Sequence, residues 1–232
     1  MNFFDSFYKK DKDQKKMNFS LEVGPHTDLE TLPPVKDVYV TMLPGGDYKE
    51  TAAKSGDLVK KGFNPVPHFP ARSILDEHQL KDFITRCKDV GTKQALVIGG
   101  SRDPIGKFDS SIQILETGFF EGIKIGIAGH PEGSPDISDK ELEKAMMDKK
   151  PYADYIVTQW LLDSQPIVDF ISKQSVPVHV GITGPMKISS LIKFANIVGA
   201  KNSINFLRSN FSKALDLLKP KDPNDLIGKV KS

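Results

Sequence analysis

The chain is poor in several features that would decide its class at once. Cys87 is the only cysteine among 232 residues. One thiol cannot form an intrachain disulfide or supply a zinc site with several cysteines, and it fits a reducing compartment, so we expect a cytoplasmic protein. No apolar run approaches the roughly 18 residues that a membrane span needs, because stretches such as Ala95–Ile98 end within a strand's length. We therefore expect no membrane span.

An excess of charge of one sign is also lacking. The 32 Lys and Arg residues nearly balance 30 Asp and Glu residues, for a net charge of +2. Sequence-independent nucleic-acid binding needs a concentrated basic surface, so nucleic acid is not an expected partner. The P-loop, GxGxxG, HExxH and GxSxG patterns are absent as well, which disfavours the commonest nucleotide-binding, zinc-protease and serine-hydrolase classes. The 38% hydrophobic and 27% charged content is typical of a globular protein with an ordinary core.

Residues 1–16 predict an N-terminal amphipathic extension to a single barrel domain over residues 17–232. Phe3, Phe4, Phe7 and Tyr8 precede a lysine-rich run, which is the reverse of the order in a secretory signal. Two interpretations stay open. The segment is a helix that docks on a membrane surface or a partner, or a helix that covers one end of the fold.

Short β-branched runs recur along the chain, each followed by a turn and a helix-period segment. Seven runs predict strands: Asn18–Val23, Val38–Met42, Asn64–Phe69, Gln94–Gly99, Lys124–Ala128, Asp154–Gln159 and Pro177–Ile182. The clearest predicted helices are Ser73–Val90 and Asp139–Met147, followed near the end of the chain by Ile188–Val198 and Ser203–Leu218. Strands that alternate with helices predict a parallel sheet.

Polar residues at the strand ends favour a closed barrel over an open doubly wound sheet. They are Glu22, Thr41, His68, Arg102, Asp103, His130, Glu132 and Gln159. A (β/α)8 TIM barrel assembles its site from the carboxyl ends of several strands, whereas an open sheet concentrates ligand contacts at one switch point. The predicted fold class is therefore an α/β TIM barrel. Its eighth strand is missing from the sequence pattern, because Lys219–Ser232 is polar with no convincing strand.

Two explanations of the missing strand stay open: the sequence is a fragment of a longer member, or the barrel stays open. An open barrel would expose two strand edges with unpaired backbone groups. We therefore expect the chain to form a homo-oligomer, to pair with a partner subunit, or to cover the gap with its N-terminal segment.

Glu22 is the only carboxylate in an otherwise apolar strand that ends in a Gly-Pro turn. If it lies inside a barrel, desolvation raises its pKa and makes it a candidate general acid. The alternative is an edge glutamate paired with a lysine or arginine.

Three further segments carry candidate chemistry. In Gly99–Gly106, Arg102 and Asp103 could present a donor fork and an acceptor to a flat heterocycle, or could merely stabilise a turn. In Gly126–Pro135, small residues would let a ring approach the backbone. His130 and Glu132 there lack a third ligand at recognisable spacing, so we expect no metal. Gln159 could read the edge of a heterocycle such as a pterin, or cap the next helix.

Taken together, these segments resemble the methylenetetrahydrofolate reductase family. Ser20–Pro25 is similar to the family's S-F-E-F-x-P-P, Ile98–Pro104 to L-R-G-D-P, Ala128–Pro135 to A-x-Y-P-E-x-H-P, and Tyr152–Asp163 to G-A-D-F-I-I-T-Q-x-F-F-D. Val180–Pro185 adds a similarity to P-G-I-x-P-I, so the resemblance runs from about residue 18 to residue 198.

The resemblance implies a barrel that holds FAD and reduces 5,10-methylenetetrahydrofolate to 5-methyltetrahydrofolate with NAD(P)H, a reaction of one-carbon metabolism and methionine biosynthesis. It implies that Glu22 is the general acid, that Asp103 lies near flavin and folate as a catalytic and binding residue, and that Gln159 holds the pterin. The implied flavin contacts are Thr41, His68, Arg102, Asp103, Ala128, Gly129, His130, Ser134 and Lys149.

The departures from the family pattern fall on the flavin side. Ser134 replaces the family's histidine, His130 stands where tyrosine is common, and the phosphate-contacting lysine is displaced near Lys149. The family's Arg-Gly pair is altered to Ser101-Arg102. Three alternatives therefore stay open: a flavin-independent reductase, another folate-linked one-carbon enzyme, and a non-catalytic folate-binding or partner subunit.

Overall fold

The structure is a computed structural model that describes residues 18–101, 103–134, 137–184, 186–187, 189–193, 220–221 and 224–231. The described residues fall into two compact units, one ending at Lys124 and the other beginning at Ile125. The predicted N-terminal extension and the predicted helix Ser203–Leu218 lie outside the described residues.

The first unit is a parallel sheet whose strands are joined by helices. Its strands are β1 (Ser20–Val23), β2 (Asp37–Val40), β3 (Asn64–Pro70) and β4 (Gln94–Ile98), in that spatial order. Helices α1 (Tyr48–Lys60) and α2 (Glu77–Asp89) follow β2 and β3, and the short α3 (Ser111–Leu115) follows β4. A helical connection after a strand returns the chain to the starting edge, which makes the next strand parallel.

Local sequence signals fix the helix ends. Asp47 caps α1 by accepting a hydrogen bond from the Lys49 N–H, and Asp76 caps α2 by accepting one from the Gln79 N–H. Gly91 follows α2 with a φ of 93°, in the left-handed region where glycine carries no steric penalty.

One face of this sheet is apolar and covered by helices. Val23, Val38 and Val40 form a buried cluster with Leu58 of α1. On the next strand the Phe69 ring packs on Phe83 of α2, with ring centroids 4.1 Å apart. Because side chains alternate along a strand, the residues between these positions point to the opposite face.

The second unit repeats the parallel arrangement. Strands β5 (Lys124–Gly129), β6 (Tyr155–Thr158) and β7 (Val178–His179) lie side by side, and α4 (Asp139–Lys149) and α5 (Ser164–Ile171) connect them. Two-residue strands β8 (Met186–Lys187) and β9 (Pro220–Lys221) pair antiparallel with one another, and α6 (Asn224–Lys231) follows.

The seven predicted parallel strands are confirmed, and so is the alternation of strands with helices. The helix predicted over Ser73–Val90 is shorter in the structure, where it begins at Glu77. Of the helix predicted over Ile188–Val198, residues 189–193 are described and are helical. Within the described ranges no eighth parallel strand occurs.

The sequence pattern shows no convincing strand in Lys219–Ser232, whereas the structure has the two-residue strand β9 and the helix α6 there. Leu226 of α6 is buried with Leu161 and Ile167, and Val230 packs against this cluster. Leu226 and Val230 are four positions apart, which places them on one face of the helix. The helix therefore forms because it buries an apolar stripe that the polar composition of the segment obscures.

Candidate functional site

The polar face of the first sheet carries Glu22, Tyr39 and His68. Glu22 stands opposite Tyr39 in the register of β1 and β2, and Tyr39 stands opposite Val66, two residues before His68. Neighbours in register share a face, so the three side chains lie on the side away from the Val23–Val38–Val40–Leu58 cluster. Glu22 and His68 are also at or near the carboxyl ends of their strands, as predicted.

His68 is a buried imidazole with an unused nitrogen. Its side chain is 9% exposed, and Nε2 has no hydrogen-bond partner in the described part of the chain. The Tyr39 ring meets it edge-on, with centroids 6.0 Å apart. Burial lowers the pKa of His68 from 6.5 to about 4, because the charged imidazolium loses its hydration there. His68 is therefore neutral at pH 7.

Glu22 lies beside this imidazole. Its Oε2 is 3.9 Å from His68 Nε2, which is longer than a hydrogen bond, and its side chain is 61% exposed. Partial desolvation raises the pKa of the Glu22 carboxyl above 4.5. The ionisable side chain beside Glu22 in the described residues is thus the neutral His68, whereas one sequence interpretation expected a lysine or arginine. A carboxyl with a raised pKa keeps more of its proton near neutral pH.

The remaining predicted site residues of the first unit are Thr41, Arg102 and Asp103. The hydroxyl of Thr41 donates to the Val23 carbonyl at 3.2 Å, and its backbone N–H donates to the same carbonyl at 2.9 Å. Thr41 therefore ties the end of β2 to the end of β1. Asp103 is exposed in the loop after β4, and Arg102 lies outside the described residues.

In the second unit, Ala128 and Gln159 share a face at the carboxyl ends of β5 and β6. Ala128 stands opposite Val157, two residues before Gln159. The Gln159 side-chain oxygen accepts a hydrogen bond from the Trp160 N–H at 3.0 Å. Helix α5 is capped instead by Asp163, so the helix-capping interpretation of Gln159 is wrong. The side-chain amide of Gln159 still offers two N–H donors to a ligand.

A side chain at Gly129 would point to the face of the sheet opposite to that of Ala128 and Gln159, because side chains alternate along a strand. A Cβ atom there would lie 2.7 Å from Ile156 Cγ2 and 2.8 Å from Phe170 Cζ. The missing side chain therefore makes room for the packing of α5 against the sheet, which differs from the predicted approach of a ligand ring.

A cavity of about 570 Å³ opens beside the loop after β5. The loop contributes His130, Pro131, Glu132 and Gly133, and the rest of the lining is Asp139, Leu142, Asp163 and Pro166. Ser134 is half-buried in the same loop. Three carboxylates and no lysine or arginine line this cavity in the described residues. We find no group of three or more His, Cys, Asp or Glu side chains arranged to hold a metal ion in that part of the chain.

Lys149 is remote from this loop. Helix α4 begins at the cavity with Asp139 and ends at Lys149, roughly 15 Å further along at 1.5 Å per residue. A short 3-10 turn, Lys150–Tyr152, then leads into the start of β6. Burial lowers the pKa of Lys149. The structure thus brings His130 and Ser134 into one loop but places Lys149 toward the amino ends of the strands.

The acidic cavity of the second unit is a poor match for the FAD that the resemblance implies. A flavin dinucleotide carries a diphosphate, which proteins bind with cationic side chains or with free N–H groups at helix N-termini. Here the cavity is acidic, α4 begins with a Ser138 cap, and α5 begins with an Asp163 cap. The described lining of this cavity therefore does not fit the diphosphate of FAD.

Sequence reasoning missed three residues that the structure places at these sites. Tyr39 contacts His68. It could have been found from the pairing of the first two predicted strands, because side chains alternate along a strand and Tyr39 stands opposite Glu22. Asp139 and Asp163 line the cavity. The position of Asp139 at the start of a predicted helix could have indicated this, whereas no predicted helix begins at Asp163.

None of the helices in the described residues combines the length and apolar character that a membrane span requires. No protein-family model matches the chain. Among solved structures, the chain is similar to a protein from Burkholderia cenocepacia J2315 described as a phosphonomutase. The two are 11% identical, the match covers 70% of this chain and 77% of that chain, and the TM-score is 0.50. At this identity the similarity concerns the fold alone, a TIM-barrel-like alternation of parallel strands and helices.

The tryptophan synthase of M. tuberculosis also matches, at 12% identity over 83% of this chain and 88% of that chain. Because the TM-score of this match is only 0.49, we draw no conclusion from it.

Proposed function

We propose that the chain is an oxidoreductase of the methylenetetrahydrofolate reductase type, which reduces 5,10-methylenetetrahydrofolate to 5-methyltetrahydrofolate with electrons from NAD(P)H. The observation that carries the proposal is the Glu22 carboxyl, whose pKa is raised and which lies beside neutral His68 on the polar face of the first unit. The sequence resemblance supplies the substrate class.

Glu22 is the proposed proton donor. Opening the methylene bridge breaks one carbon–nitrogen bond, and the departing nitrogen takes up a proton as the bond breaks. A hydride then adds to the remaining iminium carbon, so one NAD(P)H and one proton are consumed for each methyl group formed. Because the Glu22 side chain is 61% exposed, it can take up a new proton from solvent after each turnover.

The neutral state of His68 supports this role. An imidazolium at 3.9 Å would favour the ionised carboxylate and lower the pKa of Glu22. Since burial keeps His68 neutral near pH 7, that opposing charge is absent when the proton is needed.

Asp103 and Gln159 are the proposed substrate contacts. Asp103 is exposed and accepts hydrogen bonds as a carboxylate, as an amino-substituted heterocycle requires. The side-chain amide of Gln159 offers donors to the pterin edge while its oxygen stays on the Trp160 N–H. Both assignments rest on the resemblance.

The hydride could reach the substrate through bound FAD or directly from NAD(P)H. The resemblance implies FAD as the carrier, while the departures from the family pattern on the flavin side leave direct transfer from NAD(P)H open. The acidic cavity does not distinguish the two carriers, because both contain a diphosphate. Another folate-linked reaction at the same carboxyl, and folate binding without catalysis, are the remaining alternatives.

The test is a visible spectrum of the purified protein together with a folate titration and an anaerobic assay for 5-methyltetrahydrofolate, with NADH and with NADPH. The proposal expects folate binding and product formation. Flavin absorbance would assign the hydride to a flavin, and a colourless active protein would assign it to NAD(P)H directly. A protein that binds folate but forms no product would contradict the enzymatic proposal.

A further inference from the structure

Arg72 joins the two ends of the loop that follows β4, here called the β4 loop (residues 99–101 and 103–109). The Arg72 guanidinium donates through Nε to the Asp109 carbonyl at 2.8 Å and through Nη1 to the Gly100 carbonyl at 3.4 Å. These two carbonyls are nine positions apart in sequence. A guanidinium can hold both because its donors are arranged in a rigid planar fork.

The backbone beside Arg72 holds the loop at three more points. The Arg72 N–H donates to the Gly99 carbonyl at 2.9 Å, and the Arg72 carbonyl accepts from the Ile105 N–H at 3.1 Å. The Leu75 carbonyl accepts from the Lys107 N–H at 2.9 Å. The start, middle and end of the β4 loop are therefore all fixed to the segment that follows β3.

Gly106 shows how closely the two segments approach. A Cβ atom at this position would lie 1.9 Å from the Leu75 carbonyl oxygen. Any side chain there would force the loop away from the backbone at Leu75, in the segment that follows β3. Backbone atoms cannot rotate aside as side-chain atoms do.

The far end of the loop is tied to α3. The side-chain oxygen of Gln113 accepts from the Asp109 N–H at 2.8 Å and from the Ser110 N–H at 3.2 Å. Asp109 thus has its N–H held by α3 and its carbonyl held by Arg72, and the residue cannot move without losing one of these partners.

We infer that Arg72 is a positioning residue, which closes the β4 loop and thereby sets the location of Asp103 between Gly100 and Ile105. Asp103 is exposed, so the contacts of the loop around it limit its range of positions. The part of this inference that concerns folate rests on the proposed function. The part that concerns loop closure does not.

The experiment compares Arg72→Gln and Arg72→Lys with the matched control Arg86→Gln. Arg86 is an arginine of the same unit whose guanidinium pairs with Asp82 at the surface. Hydrogen exchange at the Ile105 and Lys107 amides is measured in all variants, together with folate KM and kcat.

We expect exchange at both amides to accelerate at least tenfold in Arg72→Gln, less in Arg72→Lys, and not in Arg86→Gln. Lysine keeps the charge but carries its donors on a single nitrogen instead of a planar fork, so its partial rescue separates loop closure from loss of charge. We also expect the folate KM of Arg72→Gln to rise on the order of tenfold with a smaller change in kcat, because Asp103 is misplaced rather than removed.

Unchanged hydrogen exchange at Ile105 and Lys107 in Arg72→Gln would overturn the loop closure, whether or not the chain binds or reduces folate. A loosened loop with unchanged folate KM would overturn the positioning of Asp103. If the wild-type chain binds no folate, the proposed function fails, and the exchange data alone decide the loop closure. Should Arg72→Gln not fold, Gly106→Ala displaces the same loop sterically and is expected to accelerate exchange at the same two amides; unchanged exchange there would overturn the closure.

Discussion

Protonation of His68 should destabilise the folded chain at mildly acidic pH. The imidazole is buried, and burial lowers its pKa from 6.5 to about 4. The folded state therefore binds a proton at this residue less readily than the unfolded state does. The stability that neutral His68 contributes is fully present above pH 6.5, is lost as the pH falls from 6.5 to 4, and stays lost below pH 4.

The size of this effect follows from the two pKa values. The difference between 6.5 and about 4, at about 1.4 kcal/mol per pKa unit, corresponds to about 3 kcal/mol of unfolding free energy. Glu22 acts in the opposite direction, because a carboxyl with a raised pKa takes up a proton on folding and gains stability as the pH falls toward 4.5. The contribution of His68 is therefore measured most cleanly in a Glu22→Gln background.

The assay is urea unfolding followed by circular dichroism at pH 7.0, 6.0, 5.0 and 4.0. Glu22→Gln should lose about 3 kcal/mol more over this range than Glu22→Gln combined with His68→Gln, since glutamine does not titrate there. The double variant Glu22→Gln, His26→Gln controls for the loss of a histidine, because the His26 side chain is 78% exposed. Equal pH dependence with and without His68 would refute the argument that burial keeps this imidazole neutral.

Two further predictions concern the second unit. Gln159→Glu keeps an oxygen for the Trp160 N–H but removes both amide donors, so folate affinity should weaken by about 1–3 kcal/mol in a fluorescence titration while the melting temperature changes little; unchanged affinity would contradict the assigned pterin contact. Gly129→Ala should cost about 1–3 kcal/mol of stability in urea unfolding, because its Cβ meets Ile156 and Phe170, with no loss of folate affinity. A stability equal to wild type would show that the site relaxes freely.

The strands could be predicted from the sequence because each parallel strand is a short β-branched run followed by a turn. Their lengths were harder to predict. β7 was expected over Pro177–Ile182 but covers only Val178–His179. The Gly181 N–H donates to the Thr158 hydroxyl at 2.9 Å, a side-chain partner that no strand pattern contains.

The site was predictable in position but not in orientation. Sequence pattern placed Glu22 and His68 at strand ends, and alternation then puts them on one face of the sheet. The same reasoning could not show that Gly129 faces α5, since that depends on how Phe170 packs. Lys149 was assigned by resemblance of a motif, and only the course of α4 shows which end of the unit it occupies.

Arg72 could not be found from sequence at all. Its partners are backbone carbonyls of Gly100 and Asp109, and backbone groups carry no residue signature. Loops positioned in this way are visible only once the strands that precede them are placed beside one another.

The most direct test of the central claim is the single-turnover reduction of 5,10-methylenetetrahydrofolate by Glu22→Gln at saturating NAD(P)H. Glu116→Gln serves as the matched control, because Glu116 is an exposed glutamate of the same unit. The account predicts a rate on the order of 10²–10⁴ lower for Glu22→Gln than for the control, with folate affinity and melting temperature close to wild type. A Glu22→Gln enzyme that forms 5-methyltetrahydrofolate as fast as Glu116→Gln would contradict the assignment of Glu22 as proton donor.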